Sequence, residues 1–124
     1  MTAKSVLAIG IDPAFADLSA HPELSVDLVR AYIDQQIGRI RELGYEADSC
    51  LIDSGETAEA VVEEALRSHS YDCIVIGAGL REPPEFHLLF EKIVNLIHRS
   101  APTSKIAFNT TPADTAEAAQ RWMV

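Results

Sequence analysis

The sequence predicts an α/β protein, a three-layer sandwich built on a four-stranded parallel sheet in the order 2-1-3-4, and three observations carry that expectation. Four short apolar runs alternate with four segments of helical period, the signature of a parallel sheet with helices on its faces. Residues 5–11 (SVLAIGI) and 72–77 (DCIVIG) are almost unbroken apolar runs, as strands buried on both faces must be, so both belong at the centre. Residues 46–52 (EADSCLI) and 105–109 (KIAFN) mix polar and apolar residues and belong at the edges. Right-handed crossovers then put the first and last helices on one face and the second and third on the other.

The helices follow from spacing. In the first, Val26, Val29, Ile33, Ile37 and Ile40 step by three and four and form one stripe. Pro22 suits its first turn, and Gly44 the left-handed residue after its last. The second spans about residues 56–69, with Ala58, Val61, Val62, Ala65 and Leu66 on one face and Asp53 with Glu56 marking its start. The third follows Pro83-Pro84, aligns Phe86, Leu89, Phe90, Ile93, Leu96 and Ile97, and stops before Pro102. The fourth is expected to begin at Thr111-Pro112-Ala113-Asp114, with Thr111 as cap and Asp114 reaching back, and to end with Trp122 and Met123.

At 124 residues, 48% of them apolar, the chain suits one domain over residues 1–124 and is too short for two. Ten Lys and Arg against 19 Asp and Glu give a formal charge of −9, which repels nucleic acid and anionic lipid alike. The apolar run near the start closes at Asp12-Pro13, too short for a signal segment or a membrane span, so a soluble, cytoplasmic protein is expected. Cys50 and Cys73 lie in apolar stretches without ligand-type spacing and read as reduced core thiols.

The strand order also fixes where a ligand would sit. Between strands 1 and 3 the chain leaves the sheet in opposite directions, so their carboxyl ends open a crevice at the topological switch point. The loops at 12–21 and 77–84 line it, and the turns Asp53-Ser54-Gly55 and Asn109-Thr110-Thr111 end on the same rim. Gly77-Ala78-Gly79 can bring backbone N–H groups to an anion, or it serves only chain reversal. Arg81, the basic residue of these two loops, can hold a carboxylate or phosphate in a bidentate bond, or pair in solvent with Glu82 or Asp17. Asp12 reads either as a ligand contact or as the cap of the turn with Pro13. Asp12, Gly77, Gly79 and Arg81 are thus the candidate ligand-binding residues, for a small anionic ligand.

Catalytic candidates are weaker. Asp12 and His87, the latter at the start of the third helix beside the crevice, are the groups that can move a proton. His87, Glu91, Asn95 and His98 form a polar stripe, but at 1.5 Å per residue the two histidines stand about 16 Å apart and cannot share one ion. No metal or other cofactor is therefore expected. Phosphotransfer would need an Asp where Gly77 ends strand 3, and an FMN phosphate would meet Asp12 and Asp17 in the segment 12–17, which has two carboxylates and no hydroxyl.

Residues 55–108, GETAEAVVEEALRSHSYDCIVIGAGLREPPEFHLLFEKIVNLIHRSAPTSKIAF, resemble the second half of universal stress proteins: an Ala- and Glu-rich helix, a DLIVIG-like strand, a glycine loop, and a helix ending in an Ala-Pro turn before a last strand. The opening VLAIGIDPAFAD is similar to their first strand with its terminal Asp. The resemblance implies a flavodoxin-like fold. ATP-binding members carry G-x-x-G followed by Gly-Ser or Gly-Thr, whereas Gly79 is the last glycine here, so ATP binding is not implied. The leading expectation is a non-catalytic module that binds a small molecule or a partner. The alternative is a small lyase, isomerase or hydrolase in which Arg81 orients an acidic substrate and Asp12 or His87 moves a proton. Finally, the apolar edge strand at 105–109, with Trp122 and Met123, predicts a homodimer through strand 4 or the last helix.

Overall fold

A computed structural model describes residues 4–19 and 21–123. Its strands are β1 (Ser5–Ile11), β2 (Glu46–Ile52), β3 (Cys73–Ile76) and β4 (Lys105–Phe108), and its helices are α1 (Val26–Glu42), α2 (Ala58–Ser68), α3 (Ala78–Arg81), α4 (His87–Ser100) and α5 (Thr115–Met123). The sheet is wholly parallel in the order β2-β1-β3-β4, as the strand patterning requires. This is a flavodoxin-like α/β fold. Among the described residues no helix is long and apolar enough to cross a membrane.

Alternation along the strands splits the core into two layers. Leu7, Ile9, Ile52, Ile74 and Ile76 face α2 and α4, where Val62, Leu89, Ile93 and Ile97 meet them. Val6, Ala47, Val75 and Ala107 face the other way, against Ile37, Ile40, Ala118, Ala119 and Met123 of α1 and α5. The helices are distributed as right-handed crossovers demand. Cys50 and Cys73 are both free and buried, one in each layer.

Local signals set both ends of α1. The amides of Gly44 and Tyr45 return to the carbonyls of Arg41 and Ile40, and Gly44, at φ 95°, supplies the left-handed residue that closes α1. The start of α1 differs from expectation. Ser25, not the region of Pro22, caps it, accepting from the Leu28 amide at 3.1 Å, because only a side-chain oxygen one residue before the helix can reach that orphan donor. Val26 is consequently 37% exposed, while Gln36 is buried on the helix face and accepts from the Ala116 amide at 2.9 Å. That bond ties α1 to the first turn of α5, a need that apolar spacing does not reveal.

The glycine-containing segment after β3 is not an open loop. It forms the single turn α3, so the described residues form five α-helices where periodicity predicts four. A four-residue helix is too short to show a hydrophobic period. The last helix also starts later than expected, at Thr115. Asp114 folds back on the amides of Thr110 and Thr111 while its carbonyl accepts from the Ala118 amide, so Thr111 belongs to the preceding turn and accepts from the Ala113 amide instead. Met123 is 4% exposed and completes the α1–α5 layer, contrary to the expectation that it lacks cover, whereas Trp122 is 51% exposed.

Candidate functional site

The switch-point crevice opens between the carboxyl ends of β1 and β3. At β1, Asp12 caps a 3-10 turn over Pro13–Phe15: its Oδ1 accepts from the Ala14 amide at 3.0 Å. The same oxygen accepts from Arg30 Nη2 of α1 at 2.6 Å. Asp12 is therefore both a turn former and one half of an ion pair, and the pairing with Arg30 is new. Arg30 lies 18 residues away on a helix, which a reading confined to the crevice loops could not bring to this carboxylate.

At β3, Gly77 donates its amide to the Ile9 carbonyl at 2.8 Å, continuing the sheet into the turn. A Cβ at this position would lie 3.4 Å from that carbonyl and 3.7 Å from Gly10 Cα, so glycine here serves close backbone approach; its φ of −70° needs no special residue. Gly79 is exposed within α3, with open space where its side chain would be. The next amide, that of Ala78, donates to the side-chain oxygen of Asn109 at 2.8 Å, in the buried interior. The Leu80 and Arg81 amides return to the Gly77 carbonyl. The amides of Gly77, Ala78, Leu80 and Arg81 thus already have partners within the chain.

Arg81 is engaged in the same way. Its Nη1 donates to the carbonyls of Ile76 at 2.9 Å and Asn109 at 2.7 Å, bridging the ends of β3 and β4. Its guanidinium carbon sits 4.8 Å from the centroid of the Phe108 ring, a cation–π contact. Burial lowers its pKa from the ordinary arginine value, and the charges of Glu82 and Asp114 oppose that shift. The expected pairing in solvent with Glu82 or Asp17 is replaced by bonds to main-chain oxygens, because α3 turns the side chain back over the sheet edge.

Asn109 is the hub of this end of the fold. It is 6% exposed, accepts from Ala78, supplies its carbonyl to Arg81, and donates through Nδ2 to Thr115 Oγ1 at 3.0 Å. Its place after an edge strand put it on the rim in sequence; its role could have been suspected only from being an amide-bearing residue at a strand end.

His87 starts α4 on its exposed surface. Asn95 uses its amide on the Glu91 carbonyl of the same helix. Among the described residues no group of three or more His, Cys, Asp or Glu gathers closely enough to hold a metal ion. Asp12, Arg81 and His87 do not form a common hydrogen-bonded constellation: Asp12 turns to α1, Arg81 to β4, and His87 to solvent. Two concavities lie elsewhere. One of about 430 Å³ is lined by Asp34, Ile37, Arg41, Asp48 and Ser49 beside β2. The other, about 210 Å³, lies between α2 and α4 and includes Glu59, Leu88 and Lys92.

No protein-family model matches the chain, and no curated protein sequence matches it.

Proposed function

We propose that this protein is a non-catalytic, cytoplasmic binding module, similar to a universal stress protein without the ATP site, that engages a protein partner as a homodimer. One observation carries the first part of the reading. The polar groups at the crevice that would grip an anion or steer an acidic substrate serve the fold itself: Ala78 N–H on Asn109, Arg81 on the Ile76 and Asn109 carbonyls, Asp12 on Arg30. A catalytic acid, base or electrostatic clamp must instead be free to meet substrate. The lyase, isomerase or hydrolase alternative loses Asp12 and Arg81 to the same pairing, and His87 faces solvent apart from both. Asp12, Gly77, Gly79 and Arg81 then act as the frame of the rim, and a small anion is a weaker candidate than a partner.

Exposed apolar groups support the second part. Phe15, on the crevice rim, is 52% exposed; Phe108, on edge strand β4 with its ring on the α4 face, and Trp122, on α5, are 44% and 51% exposed. Phe108 also meets Phe90 edge to face, with centroids 6.0 Å apart, so the aromatic surface there is broader than one ring. A second copy covering Trp122 and Phe108 gives the closed two-fold arrangement. The charge of −9 disfavours nucleic acid and anionic membrane as the partner.

Light scattering across a range of concentrations tests the dimer. A two-chain mass that falls to one chain in Trp122→Ala is expected; a one-chain mass throughout overturns it. A thermal-shift screen of nucleotides, flavins and small carboxylates tests the rest, since a tight native-state ligand must raise apparent stability. A stabilising carboxylate whose effect is lost in Asp12→Asn and His87→Ala would favour the enzyme instead.

A further inference from the structure

The sheet has two edges, β2 and β4, and each is met by an arginine from the helix layer of α1 and α5. Residues along a parallel strand alternate between facing a neighbour and facing away. On β2, the Glu46 amide bonds the Lys4 carbonyl and the Ile52 carbonyl accepts from the Asp12 amide, so the backbone groups of these positions point to β1 and those of Ala47 point away from the sheet. On β4, the Lys105 amide bonds the Asp72 carbonyl toward β3, so Ile106 and Phe108 face outward. Arg41 donates from Nε at 3.2 Å and Nη2 at 2.8 Å to the Ala47 carbonyl. Arg121 donates from Nη2 at 2.9 Å to the Phe108 carbonyl. Both arginines lie in the last turns of their helices, where a cation is also favoured by the helix dipole.

We infer that Arg41 and Arg121 are gatekeepers that close the two sheet edges against addition of a strand from a second copy of this chain. An uncapped edge presents N–H and C=O groups to any strand that arrives about 4.8 Å away. Each guanidinium occupies an outward carbonyl and lays a charged group across that approach. The need is specific to this fold. β2 and β4 run in the same direction, so β4 of one copy laid on β2 of the next would simply continue the parallel sheet. Exposed Glu46 and Asp48 on β2 and Lys105 on β4 would attract one another across that contact. Such a contact joins two different surfaces and does not close on itself, so it propagates as a filament. The inference does not rest on the dimer proposed above, which uses side chains of Phe108 and Trp122 and stops at two chains.

The test compares the full chain with a paired Arg41→Ala, Arg121→Ala variant and with Arg39→Ala as control. Arg39 pairs with Glu117 on the same helix layer and touches no edge carbonyl. Each substitution makes the chain more negative, so greater association cannot arise from weakened repulsion. With folding verified by circular dichroism, sedimentation velocity is expected to show material heavier than the wild-type species rising on the order of tenfold in the paired variant, with thioflavin T binding, and unchanged in Arg39→Ala. Identical sedimentation in all three overturns the inference, as does equal association in Arg39→Ala. If the alanine pair fails to fold, Arg41→Gln with Arg121→Gln, which keeps the apolar stems, is read by the same criterion. Loss of folding in both pairs assigns the arginines to stability alone and also overturns it.

Discussion

Asn109 Oδ1 lies 2.8 Å from the backbone nitrogen of Ala78, accepting its N–H across 31 residues of sequence. The bond joins the turn that leaves β3 to the turn that leaves β4, and it fills the position an anion would take at the start of α3. Asn109→Ala is expected to leave the buried Ala78 amide unpaired and remove the partner of Thr115, at a cost of about 3 kcal/mol. A fall in melting temperature on the order of 10 °C would be the readout. A loss under about 0.5 kcal/mol would show that water replaces the side chain without penalty.

Arg81 and Phe108 should be energetically coupled. Arg81→Ala removes bonds to two main-chain carbonyls as well as the contact with the ring, for about 2 kcal/mol in total. In a double-mutant cycle with Phe108→Ala, a coupling of about 0.5–1 kcal/mol isolates the cation–π part. Urea denaturation of the four proteins measures it, and strict additivity would assign the guanidinium to the carbonyls alone.

Acid should weaken the β4–α5 turn. Burial raises the Asp114 pKa, but hydrogen bonds from the Thr110 side chain and the Thr111 and Thr110 amides outweigh it and leave the carboxyl below its ordinary value. A folded-state pKa below the unfolded one means that the unfolded chain binds the proton more readily, so stability is present above the ordinary carboxylate range and lost as pH falls through the depressed value. Urea midpoints taken from pH 7 down to about pH 3 should therefore fall less steeply in Asp114→Asn than in wild type. Equal slopes would show that this carboxylate is not linked to folding.

The two thiols should be silent in the native state. Burial pushes both Cys50 and Cys73 up to about 11, so neither supplies appreciable thiolate near neutral pH. Reaction with an aromatic disulfide reagent at pH 8 is expected to follow global unfolding and to accelerate with urea in step with the unfolded fraction. A fast phase in the native protein would reveal local opening around β2 or β3.

Patterning along the chain was enough to determine the sheet. The unbroken apolar runs of β1 and β3, against the mixed EADSCLI and KIAFN, fix the order β2-β1-β3-β4, because hydrophobic burial acts on each residue's own surface and leaves its trace at each position. Gly44 is legible for a similar reason: its left-handed φ is a local backbone need. The location of the crevice follows from that order. Its chemistry does not. Whether Asp12 meets a ligand or Arg30, whether the Ala78 amide meets an anion or Asn109, and whether Gln36 faces water or the Ala116 amide are choices between partners distant in sequence. A hydrogen bond needs a particular donor within about 3 Å and in line, and only the packed layers bring such pairs to that distance.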